Sequence, residues 1–425
     1  MSRQLKHSVA CGNNPYRKLF SNLKGVQKTI FSMACFTVLL IPFWWRFAQF
    51  PFTIMLIIAL FSKIVFHKSA CNHLNKLSAL FFLSMCTFSA IYAISLVYSD
   101  NYSEGIIETT RKLLFMACGM VFFISDWSWL QKIHIHALMQ ILTISILLRF
   151  AIMIGIGAYK LYGGQIVWSD MVGLAFDPMH HCYLSLYILL ALAYVLFFTF
   201  SHRLAKPVVW RYAILTLCVI LLASYLFLIN SRAGLLCMAL LFIGVIVILL
   251  LNKRYRPALE LILFYVVLLS STALIFPQAT ERFRNLSSNI VNQTDDRYSI
   301  TKATLNVIHS NMPFGVGAGD RMDVLIDEYK KIEAEKAYWR NYNPHNQYLD
   351  TLMTTGFPGL AILLVLTVLP VINAVRFRDY LLLSFCLIIV FCSMFESVLE
   401  RQMGIVFYCF FASIFNSNFQ QKHQK

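Results

Sequence analysis

Apolar runs of membrane length recur along almost the whole chain, and they dictate what it can fold into. About 20 consecutive apolar residues cross a bilayer as one helix. In lipid, only helices or closed barrels satisfy their own backbone hydrogen bonds. On that scale the runs fall at roughly 29–45, 50–66, 77–97, 107–124, 134–156, 181–200, 213–230, 235–251, 258–276, 357–375, 380–395 and 402–417. They predict an all-α integral membrane protein of about 12 transmembrane helices. Composition agrees, with 59% hydrophobic and 13% charged residues over 425 positions, against ~25% charged in a typical soluble domain. No cleavable signal peptide is expected, because the first 28 residues are polar and basic and the first apolar run leads straight into others.

Lys and Arg set the orientation, since they concentrate on the cytoplasmic side. With the N-terminus inside, twenty of the 36 Lys and Arg fall on that face, from Arg3 and Lys6 through Lys253, Arg254 and Arg256 to Lys425. Only Asp126, Glu260 and Asp379 oppose them. Both termini are therefore expected in the cytoplasm. The net charge of +16 is a topology signal, and no nucleic-acid partner is needed to explain it. The chain divides into 1–276 (the N-terminal tail and nine spans), an outward loop at 277–356, and 357–425 (three spans and the tail). Trp44, Trp45, Trp127 and Trp129 read as an interfacial aromatic belt.

The outward segment is the one extramembrane stretch of any size, and its charges balance. Long loops in compact proteins are usually functional or disordered, and this one carries a folding pattern. Ile300, Ala303, Thr304, Val307 and Ile308 are spaced for one helix face. A turn follows at Pro313-Phe-Gly-Val-Gly317, and Asp323 to Tyr338 reads as a second, highly charged helix. The 11 cysteines lie in spans or cytoplasmic segments, apart from Cys182 near an outer span end. No disulfide framework or metal–thiolate site is indicated, and no Walker or Rossmann glycine motif occurs.

Three residues on the outer side can carry chemistry together. His345 lies in Pro344-His345-Asn346-Gln347, where the polar loop gives way to a span. An ionisable group there is a functional candidate by default, and an imidazole with an ordinary pKa near ~6.5 moves protons at neutral pH. The bland alternative is a helix-capping or interfacial histidine. Arg232, in Ser231-Arg232-Ala233-Gly234, is either a snorkelling interfacial arginine or a phosphate ligand with a planar fork. Arg297 is either paired with Asp295 or Asp296, or a second anion ligand at a helix start. Asp177-Pro178-Met179-His180-His181 are candidate entrance residues, and Glu400-Arg401 reads as an internal ion pair or a ligand pair.

These residues resemble the bacterial O-antigen ligase family, part of the O-antigen ligase/polymerase superfamily. That family carries His followed by Asn, Ser or Gln, nine further residues, then Gly-x-x-Gly. Here His345-Asn346, the nine residues from Gln347 to Thr355, and Gly356-Phe-Pro-Gly359 fit it in full. The Ser231-Arg232-Ala-Gly junction, the Arg297 helix, the Pro313–Gly317 turn and Glu400-Arg401-Gln-Met-Gly404 match in order. Thr301 departs from the pattern, which has a bulky residue four positions after the loop arginine.

The resemblance implies a fold similar to lipid-linked-sugar (C-type) glycosyltransferases and a multi-pass location in the bacterial inner membrane, with a periplasmic active site. It also implies a reaction that needs no metal, ATP or other cofactor. An O-antigen glycan is transferred from undecaprenyl diphosphate to a sugar hydroxyl of lipid A–core. Under this reading His345 is the general base and Arg232 and Arg297 bind the donor diphosphate. Asn346, His180, His181 and Arg401 are candidates to line the substrate cavity. The nearest rival is an O-antigen polymerase using the same donor. A lipid-linked glycan flippase is a rival from another class, although charges are nearly absent from the span centres.

Overall fold

A computed structural model describes residues 19, 23–65, 74–166, 179–201, 209–229, 231–275 and 296–417. Asp177, Pro178 and Asp295, together with much of the basic tail and all of segment 277–295, lie outside the described residues. Within them the secondary structure is helical and contains no strand. The helices are α1 (Gly25–Leu40), α2 (Trp45–Val65), α3 (Lys76–Ser95), α4 (Tyr102–Ile124), α5 (Lys132–Tyr162), α6 (His181–Ser201), α7 (Val209–Ile229), α8 (Arg232–Leu251), α9 (Tyr255–Ile275), α10 (Asp296–Ser310), α11 (Arg321–Lys331), α12 (Glu335–Trp339), α13 (Gln347–Phe377), α14 (Tyr380–Ser393) and α15 (Gln402–Ser417).

Each expected apolar run coincides with a helix, α1 to α9 and α13 to α15. Among the described residues, five are long and apolar enough to cross a membrane: α2, α3 with its 3-10 extension to Tyr98, α5, α8 and α13. α14 and α15 are shorter for a structural reason. At 1.5 Å per residue, the 14 residues of α14 reach about 21 Å and the 16 of α15 about 24 Å, less than a ~30 Å hydrocarbon core. Every residue from Met403 to Ser417 is buried, so α15 is wrapped by protein. Its apolar character on all faces suits an interior helix. The segment joining α14 to α15 is correspondingly sunk into the bundle, with Glu396, Ser397, Val398 and Leu399 all buried.

Contacts sort the helix junctions to two ends. At one end, Ser95 and Ser99 hydroxyls accept from the backbone N–H of Ala318 and Gly319 (3.1 Å each). The Asp320 carboxylate there accepts from Asp100 and Asn101 N–H (2.9 and 2.7 Å). At the other end, the Asn373 amide donates to Ser78 Oγ and Asn416 Oδ1 (3.3 and 3.1 Å). Alternate junctions meet in this way, as a chain threading back and forth requires.

Ile300, Ala303, Thr304, Val307 and Ile308 form the buried face of α10. The apolar members of this face build a small second core with Leu325, Tyr329 and Ala337 of α11 and α12, and with Met353 of α13. The expected single helix from Asp323 to Tyr338 is instead two, α11 and α12. Glu333 takes a left-handed backbone (φ 55°), which ends α11 and turns the chain so that Ala337 reaches the same core. Trp127, read as a belt residue, is buried and stacks on Phe122 at 4.1 Å, because the α4–α5 turn folds back against the helices. Trp44 is 61% exposed.

α13 is bent at Gly356, whose φ of 66° and ψ of −158° are not helical. The turn at 313–317 docks into that bend. Val316 and Gly317 N–H donate to the Met353 and Thr354 carbonyls, and Phe357 N–H donates to the Pro313 carbonyl (2.9 Å each). A β-carbon on Gly356 would overlap the Pro313 carbonyl oxygen and strain the positive φ. Gly356→Ala should therefore destabilise the protein by at least ~1–3 kcal/mol, read as a lower thermal midpoint in detergent. Gly244 of α8 has open space around it, so Gly244→Ala should leave the midpoint unchanged or slightly raise it. Equal behaviour of the two variants would contradict the bend.

Candidate active site

His345 stands just before α13, and the chain around it is held tightly. Asn346 is the N-cap: its Oδ1 accepts from the Tyr348 and Leu349 N–H groups (2.9 and 3.1 Å), satisfying donors the helix leaves unpaired. Its Nδ2 donates to the Met394 carbonyl (3.2 Å). His345 itself adopts a left-handed backbone, φ 47°, a region in which histidine is enriched among non-glycine residues. Its N–H donates to Asn343 Oδ1 (3.2 Å), and the Tyr342 ring meets the imidazole edge-on at 5.4 Å.

The imidazole points its Nδ1 at the Glu396 carboxylate, 3.3 and 3.4 Å from the two oxygens. Burial pushes the Glu396 carboxyl up, but the hydrogen bond and charge of His345, helped by His180 and the Cys182 thiol, outweigh it and bring it down to about 2. The Cys182 thiol donates to the same carboxylate at 3.3 Å. Glu396 is thus an ionised, nearly buried partner that fixes which nitrogen of His345 carries the proton. Nε2 remains as the acceptor. A cavity of about 320 Å³ opens beside the pair, walled by His345, Glu396, His180, Arg401, Arg111 and Arg340.

Under this cavity lies a buried ion network. Arg321 Nη1 donates to both oxygens of Asp350 (2.9 and 3.0 Å), and Nη2 donates to Glu400 (2.8 Å). Glu108 lies 3.5 Å from Nη2 and also pairs with Arg111. Lys112 donates to the Leu399 carbonyl and sits 5.0 Å from the centre of the Tyr92 ring. The Asn343 amide donates to Glu400, so the residue that accepts from His345 N–H is itself tied to the network. Burial pushes the Glu400 carboxyl up, yet the charge and hydrogen bond of Arg321 together with Asn343 hold it below the usual range.

The sequence candidates separate in space. His345, His180 and Arg401 line the cavity. Asn346 caps α13, and His181 begins α6 outside the cavity lining, its ring 4.4 Å from that of His180. Arg232 opens α8 behind its N-cap Ser231, whose hydroxyl accepts from Gly234 N–H (3.2 Å). Arg297 opens α10 with its guanidinium 5.9 Å from the centre of the Phe395 ring, one residue from Glu396. Neither arginine lines the cavity. Glu400 is not paired internally with Arg401: its cation is Arg321, because the Glu400 side chain is only 12% exposed and faces the buried Arg321, while Arg401 is exposed.

Sequence reasoning missed Glu396, Arg321, Asp350, Glu108 and Lys112. The signal existed. Glu396 and Glu400 are two acids in the short gap between two apolar runs, and Glu108 and Lys112 lie within a run called a span; ionisable groups so placed are expensive unless paired.

Residues 217–364 match a family whose model is described as O-antigen ligase. A search of curated proteins returns no match. The matched segment contains Arg232, Arg297, Arg321, His345, Gly356 and Gly359, and stops short of Glu396 and Glu400.

Removing the network's central cation would leave three carboxylates from different elements facing one another. Arg321→Met should cost on the order of 3–5 kcal/mol, seen as loss of folded, monodisperse protein after solubilisation. Arg321→Lys keeps the charge but not the fork and should recover only part of that. A stable Arg321→Met protein would contradict the network's role.

Proposed function

We propose that this chain, whose residues 217–364 match the O-antigen ligase family model, is a glycosyltransferase that moves a glycan from undecaprenyl diphosphate to a sugar hydroxyl of lipid A–core at the outer face of the inner membrane. The observation that carries this reading is the His345–Glu396 pair at a cavity wall. With Nδ1–H held by the carboxylate, Nε2 accepts the proton of the acceptor hydroxyl as its oxygen attacks the anomeric carbon. The glycosidic bond to the diphosphate breaks in the same displacement, inverting the anomeric centre, and undecaprenyl diphosphate departs with the bonding pair. Glu396 is the positioning residue: it orients the ring and stabilises the imidazolium that forms, as an acid–histidine pair does in other general-base systems.

Arg232 and Arg297 are the proposed donor ligands. Each opens a helix, α8 and α10, where free N–H groups and the helix dipole favour an anion. Their position off the cavity wall suits a division of labour, with the diphosphate at the helix starts and the acceptor in the cavity. Fixed positive groups aimed at a leaving group whose charge grows are the main source of rate in such a site.

In a purified assay with lipid-linked glycan and lipid A–core, His345→Ala should lower transfer by about 10²–10⁴-fold without loss of folded protein. Glu396 stays ionised down to about pH 2, so a charged acceptor faces the imidazole across the acid range. Glu396→Gln keeps the shape but removes that charge, and the maximal rate should fall by at least ~10-fold. An unchanged maximal rate would break the positioning assignment. Arg232→Lys should lose most activity if both phosphate oxygens are gripped. Replacing lipid A–core with a lipid-linked repeat as acceptor separates a ligase from a polymerase: transfer only to the repeat would favour the polymerase.

A further inference from the structure

We propose that His180, His181 and Cys182 form a binding site for a divalent transition-metal ion of the Zn²⁺ type, and that its occupancy switches off the adjacent His345–Glu396 pair. One donor atom from each of the three residues, two imidazole nitrogens and a thiol sulfur, lies within 4.8 Å of the others. Two nitrogens and one sulfur select a borderline-soft ion such as Zn²⁺ over Mg²⁺ or Ca²⁺. Three protein ligands leave a fourth tetrahedral position open.

A second observation points the same way. His180 Nδ1 is buried and has no hydrogen-bond partner, which is costly for a polar atom unless something else engages it. The scaffold is also fixed. The His180 carbonyl accepts from Tyr183 and Leu184 N–H (3.1 and 3.3 Å), Ser185 Oγ donates to the Cys182 carbonyl (2.6 Å), and the Tyr183 hydroxyl donates to the Ser397 carbonyl (3.2 Å). The three ligands therefore sit on a helix start anchored to the segment that carries Glu396.

Charge is compatible with a dication. Cys182 binds as thiolate, its proton passing to solvent with no change of oxidation state. That thiolate and the Glu396 carboxylate, 3.3 Å from Sγ, neutralise the ion beside the cationic Arg297 and Arg401. The same proximity produces the switch, a consequence that rests on the proposed role of His345. A metal-bound thiolate no longer donates to Glu396. The ion also attracts that carboxylate away from His345 Nδ1, and the imidazole loses the group that orients it.

Titration of the full chain in detergent with CoCl₂ tests the site directly. One equivalent of Co²⁺ should give a thiolate-to-cobalt charge-transfer band that ZnCl₂ abolishes. Cys182→Ser should remove the band, and His181→Gln should weaken Co²⁺ affinity at least ~10-fold, with thermal unfolding confirming that both variants fold. No band, or a band that survives in Cys182→Ser, overturns the site. In the transfer assay ZnCl₂ should inhibit the unsubstituted protein, EDTA should restore it, and Cys182→Ser should resist inhibition. Binding without inhibition overturns the switch and keeps the site. A protein inactive in transfer even without metal would indict the proposed function instead, leaving the cobalt spectra to decide the site.

Discussion

Arg321 is the interaction on which the His345 end of this protein depends. It is buried, and it gathers carboxylates from α4 (Glu108), α13 (Asp350) and the α14–α15 segment (Glu400). An isolated charge there would be prohibitively costly. A cation with a planar fork meets two of these carboxylates at hydrogen-bond distance, so the three elements share one geometry. Asn343 then carries that geometry to His345: its amide bonds Glu400 and its carbonyl oxygen accepts from His345 N–H. The imidazole is thus placed by a charge network it does not itself join.

The same end explains the spacing of the His-Asn motif in physical terms. Asn346 caps α13, and Gly356 is the bend where the turn at 313–317 docks. The nine residues between them are about two and a half turns of helix, the distance needed to seat both the histidine and the turn. Gly359 follows because a β-carbon there would run into the Thr355 side chain. The motif is a ruler from cap to bend, with one chemical group at its start.

Much of this was legible in the chain. The apolar runs located the helices because burial in lipid leaves little freedom in length or composition. The α10 face was readable because its period is local. Less readable was whatever depends on residues far apart in sequence. Glu396 meets His345 from 51 positions away, and Arg321 meets Glu108 across more than two hundred. Glu400 was visible, but its partner was misread as the neighbouring Arg401, since adjacency in sequence says nothing about which charge is buried. The break in the charged helix at Glu333 escaped for a related reason: the pull of a second small core on Ala337 is a tertiary effect that local propensity does not contain.

The distribution of polarity also bears on the class of function. The central helix α15 has no charged side chain between Met403 and Ser417, and the residues that wrap it are largely apolar and aromatic. Arg149, midway along α5, spends its guanidinium on the Pro42 carbonyl at the α1–α2 junction and on Tyr225 near the end of α7, both at the end of the bundle where His345 sits. Lys112 is likewise drawn to Leu399 in the sunken segment. A carrier that moves a charged headgroup through the bilayer needs polar groups distributed along its path. Here, among the described residues, buried charge collects at one end, above a helix buried along Met403–Ser417. That arrangement suits chemistry at one end of the bundle, to which the short segment between α14 and α15 brings Glu396 and Glu400.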